Sequence, residues 1–131
     1  MKAANIGLWG TLAILAWLGW IALDMARPVA AGGSSSASLS EIQTSTQPVL
    51  VEFYANWCGP CRAVGPIVEE LKDEMAGRAK VIRINVDLEP QLSAEHGIRS
   101  IPTFIVFKDG REKGRQSGAI SKAAMISMIG L

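Results

Sequence analysis

The two cysteines of the chain, Cys58 and Cys61, lie two residues apart within residues 57–61, WCGPC. A run rich in β-branched and aromatic residues, 49–54, precedes them, and a run with helical patterning follows. A Cys-x-x-Cys pair at a strand-to-helix junction is arranged for reversible exchange between a dithiol and a disulfide. The spacing predicts both sulfurs on the first turn of one helix, where free N–H groups and the helix dipole favour a thiolate.

Two other uses of the cysteine pair have to be weighed. A structural zinc site needs four ligands, usually two Cys-x-x-Cys pairs or one pair with two histidines. The chain has no further cysteine and a single histidine, His96, so a complete site within it is short of ligands. A purely structural disulfide that closes so small a loop constrains the unfolded chain very little. Redox exchange is therefore the favoured interpretation, and no metal is expected.

Beyond the cysteines, motifs across residues 40–131 resemble those of the thioredoxin family. Residues 48–62 (PVLVEFYANWCGPCR) are similar to the thioredoxin strand that leads into its active-site helix. The other similar segments are 65–67 (GPI, mid-helix), 83–87 (RINVD, the next strand), 96–103 (HGIRSIPT, the cis-proline segment), 107–110 (FKDG, a hairpin) and Gly118. The resemblance implies an α/β thioredoxin fold and a thiol–disulfide oxidoreductase.

The predicted domain is a central mixed sheet of about four strands flanked by helices. The patterning predicts strands at 49–54, 80–86, 103–107 and near 112–117, and helices at 58–76, 90–96 and 121–129. A capping box at 38–41 (SLSE) predicts a short helix that begins there. The first strand usual in the family has no counterpart in the sequence, so we expect one edge of the sheet to be less protected.

The two cysteines are expected to have different roles. Cys58 is closer to the helix start and is expected to attack a partner disulfide, while Cys61, one turn further in, resolves the mixed disulfide. The helix terminus supplies about 0.3–1 kcal/mol, and one pKa unit requires about 1.4 kcal/mol. Hydrogen bonds to the sulfur must therefore add to the stabilisation of the thiolate.

The residues between the cysteines, Gly59 and Pro60, indicate the direction of the reaction. Neither is a histidine, which would further favour the thiolate and make the pair a stronger oxidant. The Gly-Pro pair looks like that of reducing thioredoxins, so a reductant is favoured. An oxidase or isomerase, or a docking module without turnover, is the alternative. The cysteine pair is itself the redox group, and no cofactor is expected.

Two charged residues are candidates for a supporting role. Glu52 is a carboxylate within an apolar strand, where it either faces water at an edge or lies buried. The resemblance implies the buried position, where the family has an aspartate that relays the proton of the second cysteine; burial would raise the pKa of Glu52. Arg83 falls where the family often has a lysine near that acid, and a solvated charge is the alternative.

Four residues are expected to shape the substrate site. By resemblance, Pro102 follows Ile101 in a loop that faces the cysteines through a cis bond, leaving backbone groups of Ile101 free to pair with a substrate strand. Gly118 is expected beside them. Trp57 borders the docking groove in the family, and half-buried packing is the alternative for this side chain.

The uncharged run 6–23 (IGLWGTLAILAWLGWIAL) predicts a transmembrane anchor. At about 1.5 Å per residue it reaches roughly 27 Å, close to the thickness of a bilayer core. Trp9 and Trp20 lie near its ends, as interfacial residues do. A signal peptide cleaved after Ala31 is the alternative. Both interpretations export the domain.

The predicted organisation follows from this anchor. Residues 1–5 form a cytoplasmic N terminus, since Lys2 precedes the span, and 6–23 form the single span of the inner membrane. Residues 24–38, rich in Gly, Ala and Ser, form a flexible linker, and 39–131 form the thioredoxin-like domain on the periplasmic side. Cleavage near Ala31 would instead give a soluble periplasmic or secreted protein.

Charge and compartment together limit the partners. The net charge is +1 and no basic stripe suggests nucleic acid. The expected partners are disulfide-containing exported proteins. Family and compartment also imply a transmembrane thiol conduit of the DsbD or CcdA kind as the electron donor.

Overall fold

Residues 35–130 are described by the computed structural model, and their side chains from residue 40 onward. Helices and strands alternate along this range. In chain order they are α1 (Ser35–Thr44), β1 (Val49–Tyr54), α2 (Gly59–Glu74), β2 (Lys80–Asn85), α3 (Pro90–Glu95), β3 (Thr103–Lys108), β4 (Arg111–Ser117) and α4 (Lys122–Ile129).

The strands form one mixed sheet in the order β2-β1-β3-β4. β1 and β2 are parallel, and the other two pairings are antiparallel. The predicted α/β fold with a mixed sheet of four strands is confirmed. Within residues 35–130, no strand pairs with the outer side of β2, which forms one edge of the sheet.

Helices cover both faces of the sheet because side chains of a strand alternate between its faces. Leu50 of β1 packs with Phe104 of β3 in a core under α2 and α4. Val51 belongs to a second core with Ile42 of α1 and Leu92 of α3. Glu52, two residues after Leu50, therefore points to the same face of the sheet, the one covered by α2.

Register explains why two charged residues meet in this apolar sheet. Glu52 of β1 pairs directly with Arg83 of the parallel strand β2. Residues paired in this way point to the same face, so both side chains are directed towards α2.

The helix boundaries differ from the prediction by more than one residue at two places. α1 begins at Ser35, not at the capping box at 38–41, and so takes in four residues predicted as linker. Ile42 anchors this helix in the core, and extending a helix that is already nucleated costs little. α2 ends at Glu74, two residues earlier than predicted, with Gly77 at a φ of 84° in the turn that follows.

The predicted membrane span, residues 6–23, lies outside the described residues, as does the greater part of the predicted linker. Among the helices of residues 35–130, none is both long enough and apolar enough to cross a bilayer.

Candidate active site

The cysteine pair forms the N terminus of α2. Cys58 is the N-cap residue, with extended backbone angles of φ −83° and ψ 113°, and its sulfur accepts a hydrogen bond from the N–H of Cys61 at 3.2 Å. The sulfur therefore takes the place of the side-chain oxygen of an ordinary N-cap. A disulfide joins Cys58 to Cys61, so the structure represents the oxidised state.

Both cysteines are buried, and they differ in their place on the helix. Cys58 is 4% exposed and Cys61 is 1% exposed. Gly59 and Pro60, between them, form the first turn of α2 and are exposed. Cys58, the N-cap residue, is the cysteine at the exposed end of the helix.

The loop before β3 faces Cys58. The peptide bond between Ile101 and Pro102 is cis, and the carbonyl oxygen of Ile101 lies 3.8 Å from the sulfur of Cys58. The N–H of Gly118 donates to the carbonyl of Pro102 at 2.8 Å, and Gly118 itself has a φ of 91°. The structure thus brings together the three residues predicted to bind substrate, although the N–H of Gly118 is engaged within the protein.

Trp57 stands at the rim of an apolar groove beside the disulfide. Its side chain is 68% exposed, so the alternative of half-buried packing is wrong. The indole N–H donates to Asp87 at 2.9 Å, which holds the ring in place. Trp57 lines a cavity of about 330 Å³. This cavity is lined by Trp57, Val86, Ser93, Ile98, Arg99, Ser100 and Ile101.

Glu52 is fully buried, so the alternative of an edge position facing water is wrong. Its Oε2 accepts a hydrogen bond from Nε of Arg83 at 2.5 Å. Among the described residues, no group hydrogen-bonds to the other oxygen, Oε1. Burial raises the pKa of Glu52, outweighing the hydrogen bond and the positive charge of Arg83, which lower it.

Arg83 lies in a narrow slot between Tyr54 and Gly65 rather than in solvent. Its guanidinium carbon is 4.2 Å from the centre of the Tyr54 ring. Gly65 of α2 lies against the guanidinium, because a Cβ at this glycine would be 3.2 Å from Nη2. Nη1 of Arg83 lies 3.6 Å from the carboxylate of Glu69. Sequence reasoning missed Tyr54, Gly65 and Glu69 as partners of Arg83.

A second cavity, of about 560 Å³, leads from this slot to the second cysteine. Its lining consists of Tyr54, Ala55, Asn56, Cys61, Arg62, Gly65, Pro66, Glu69 and Arg83. Cys61 and the Arg83 slot therefore share one open space, whose lining has no residue in common with that of the Trp57 groove. Within residues 35–130, no group of three or more His, Cys, Asp or Glu side chains is placed to hold a metal ion.

The sheet order, the disulfide at the helix terminus and the proline loop opposite it define a thiol–disulfide oxidoreductase of the thioredoxin type. Comparison with known proteins agrees, since the family profile described as "Thioredoxin" matches residues 34–130. The chain belongs to the thioredoxin family, and with its Cys58–Cys61 pair it is a protein-disulfide reductase.

Individual relatives are similar over the same domain. "Thioredoxin" of Rickettsia felis is 41% identical over 96 residues, which cover 73% of this chain and 91% of that protein. "Thioredoxin 1" of Synechococcus elongatus is 40% identical over 101 residues, 77% of this chain and 94% of that protein. "Thioredoxin 1" of a Nostoc species is 43% identical over 96 residues, 73% of this chain and 90% of that protein.

Proposed function

We propose that this protein is a membrane-anchored reductant of disulfides in exported proteins. The direction of electron flow rests on one observation: the helix terminus that carries Cys58 has only Gly59 and Pro60 between the cysteines. No histidine or other charged side chain there adds to the stabilisation of the thiolate. The reduced form is therefore not favoured strongly enough to make the pair an oxidant.

The proposed cycle transfers two electrons from the dithiol to the substrate. The Cys58 thiolate attacks a substrate disulfide, forms a mixed disulfide and releases the first substrate sulfur as a thiolate, which takes up a proton. Cys61 then loses its proton and attacks the sulfur of Cys58. The mixed disulfide breaks, the second substrate sulfur leaves as a thiolate and is protonated, and the Cys58–Cys61 disulfide forms.

Glu52 is the proposed acceptor of the Cys61 proton. A general base works best when its pKa is close to the working pH, and burial moves the pKa of Glu52 in that direction. Its Oε1 has no partner among the described residues and is the atom left to receive a proton. Glutamate stands here in place of the aspartate of the family, one methylene longer.

The groove beside Trp57 is the proposed site for the substrate chain. The carbonyl of Ile101 lies at its edge, 3.8 Å from the attacking sulfur of Cys58, and is placed to accept a hydrogen bond from an extended substrate segment. The apolar lining contributed by Val86 and Ile98 would receive an apolar side chain next to the substrate cysteine.

The anchor and the electron donor are the remaining parts of the proposal. The support is the uncharged run 6–23, which precedes the thioredoxin match that begins at residue 34. A reductant held outside the cytoplasm needs electrons from across the membrane, and a thiol conduit of the DsbD or CcdA kind would supply them.

We predict that the full chain stays in the membrane pellet after a carbonate wash, with its domain open to protease added to spheroplasts. The reason is that eighteen uncharged residues satisfy the length and hydrophobicity of a spanning helix. A matched control carries Leu15→Arg and Leu18→Arg, which place two charges in the run and should release the protein. Release of the unaltered chain, or a mass showing cleavage after Ala31, would contradict the anchor.

A further inference from the structure

Glu52 uses one of its two carboxylate oxygens. An arginine carries five N–H donors in a planar fork and often binds both oxygens of a carboxylate at once. Arg83 instead places Nε on Oε2 of Glu52, while Oε1 is left without a partner among residues 35–130. A buried carboxylate oxygen in that condition costs free energy, so the arrangement calls for a functional explanation.

The orientation of Arg83 explains the unpartnered oxygen. Its guanidinium is stacked between Tyr54 and Gly65, which fixes its plane and leaves rotation within that plane as its remaining freedom. Nη1 points to Glu69, whose side chain is 54% exposed at the mouth of the cavity. One arginine thus joins a buried acid to an acid at the surface.

We propose that Glu69 is a positioning residue for the thiol–disulfide reaction: it holds Arg83 towards the cavity and so leaves Oε1 of Glu52 free to accept the Cys61 proton. The proposal rests on the base role assigned to Glu52 above. Cys61, Arg83 and Glu69 line the same cavity, and the buried Glu52 is hydrogen-bonded to Arg83. In the step itself, the S–H bond of Cys61 breaks, its proton goes to Oε1, and the sulfur displaces the substrate sulfur from Cys58.

The charges around Glu52 come from three elements. Arg83 of β2 lowers the pKa of Glu52, whereas burial, the largest cause, and Glu69 of α2 raise it. Tyr54, on the same strand as Glu52, stacks on Arg83, and Arg62 of α2 lines the cavity. Removing the charge of Glu69 should therefore lower the pKa of Glu52 and free Arg83 to cover Oε1.

The test compares Glu69→Gln with Glu70→Gln in the full chain. Glu70 is the next residue of α2 and pairs with Lys122 instead of Arg83, which makes it a matched control. The reduced protein is mixed with Ellman's reagent: attack by Cys58 releases one coloured thiolate, and resolution by Cys61 releases the second. The rate of the second release is measured across pH, together with the carbon-13 NMR titration of the Glu52 carboxyl group.

Glu69→Gln should slow the second release by about threefold to tenfold, a fraction of the 10²–10⁴ that a general base typically supplies. In Glu69→Gln, the pH at which the rate of the second release increases should be lower than in the unaltered protein. The midpoint of the NMR titration of Glu52 should shift to lower pH as well. Glu69→Asp should restore part of the rate, and Glu70→Gln should match the unaltered protein. Identical profiles for Glu69→Gln and Glu70→Gln would overturn the role of Glu69. A second release unaffected by Glu52→Gln would overturn the base role itself.

Discussion

Replacing Cys61 by serine is expected to stop turnover and to leave substrate proteins bound to Cys58 as mixed disulfides. Serine cannot attack the mixed disulfide, and an intramolecular attack owes its speed to an effective concentration on the order of 10⁵–10⁸ M. Resolution by outside thiols at millimolar concentration should therefore be slower by many orders of magnitude. Electrophoresis without reductant, followed by mass spectrometry of the trapped species, measures this directly.

Cys58→Ser is the control for that experiment. Cys58 is the N-cap residue and the proposed nucleophile, so its loss should remove both turnover and trapping. Trapping by Cys58→Ser but not by Cys61→Ser would show that the roles of the two cysteines are reversed. Turnover by the Cys58→Ser, Cys61→Ser double variant in cells would favour a docking module over a redox enzyme.

Replacing Arg83 by methionine is expected to destabilise the domain by about 3 kcal/mol at neutral pH and by much less in mild acid. The substitution leaves the fully buried Glu52 without its cationic partner, and removing one member of a buried pair typically costs about 3–5 kcal/mol. We expect the lower end of this range of destabilisation because Glu52 can take up a proton, which removes the buried charge.

The dependence on pH follows from the direction of the Glu52 shift. Its pKa in the folded protein is raised above the ordinary value of 4.5, chiefly by burial. The folded state then binds more protons than the unfolded state, so stability is fully present below pH 4.5 and is lost as pH rises through the folded pKa. In Arg83→Met the pKa of Glu52 rises further, and the loss extends over a wider range of pH.

Urea unfolding of both proteins at about pH 4.5 and at about pH 8 tests this prediction. The Glu52→Leu, Arg83→Met double variant is the control, because it removes the buried charge together with its partner and should regain the lost stability. A loss of equal size at the two pH values would show that Arg83 contributes packing against Tyr54 and Gly65 instead of charge compensation.

Local motifs carried most of what the sequence predicts. The placement of Cys58 at a helix start follows from an apolar run, a Cys-x-x-Cys pair and a helical pattern in direct succession. The final helix, which follows Ser121, was predicted from a segment of a few residues and is present, whereas the cis bond before Pro102 was implied by the family resemblance and is also present. Helix caps and turns depend on interactions between residues that are close in the sequence, so they can be predicted without a structure.

The surroundings of Arg83 could not be predicted in the same way. The slot depends on the register that pairs β1 with β2, and on the packing of α2 at Gly65 across that pair. Glu69 is separated from Arg83 by a helix end, a turn and half a strand, and no local pattern joins them. The start of α1 was placed too late because its Ser-rich beginning has the composition of a linker, while Ile42 anchors the helix from the core.

The measurement that tests the central claim most directly is the reduction potential of the Cys58–Cys61 pair, by equilibration of the full chain with thiol redox buffers. Gly59 and Pro60 at the helix terminus predict a value near or below about −270 mV, in the range of thioredoxin-like reductants. A value above about −200 mV lies with the isomerases and oxidants. Such a value would contradict the assignment of this protein as a reductant and would point to disulfide formation or rearrangement in exported proteins.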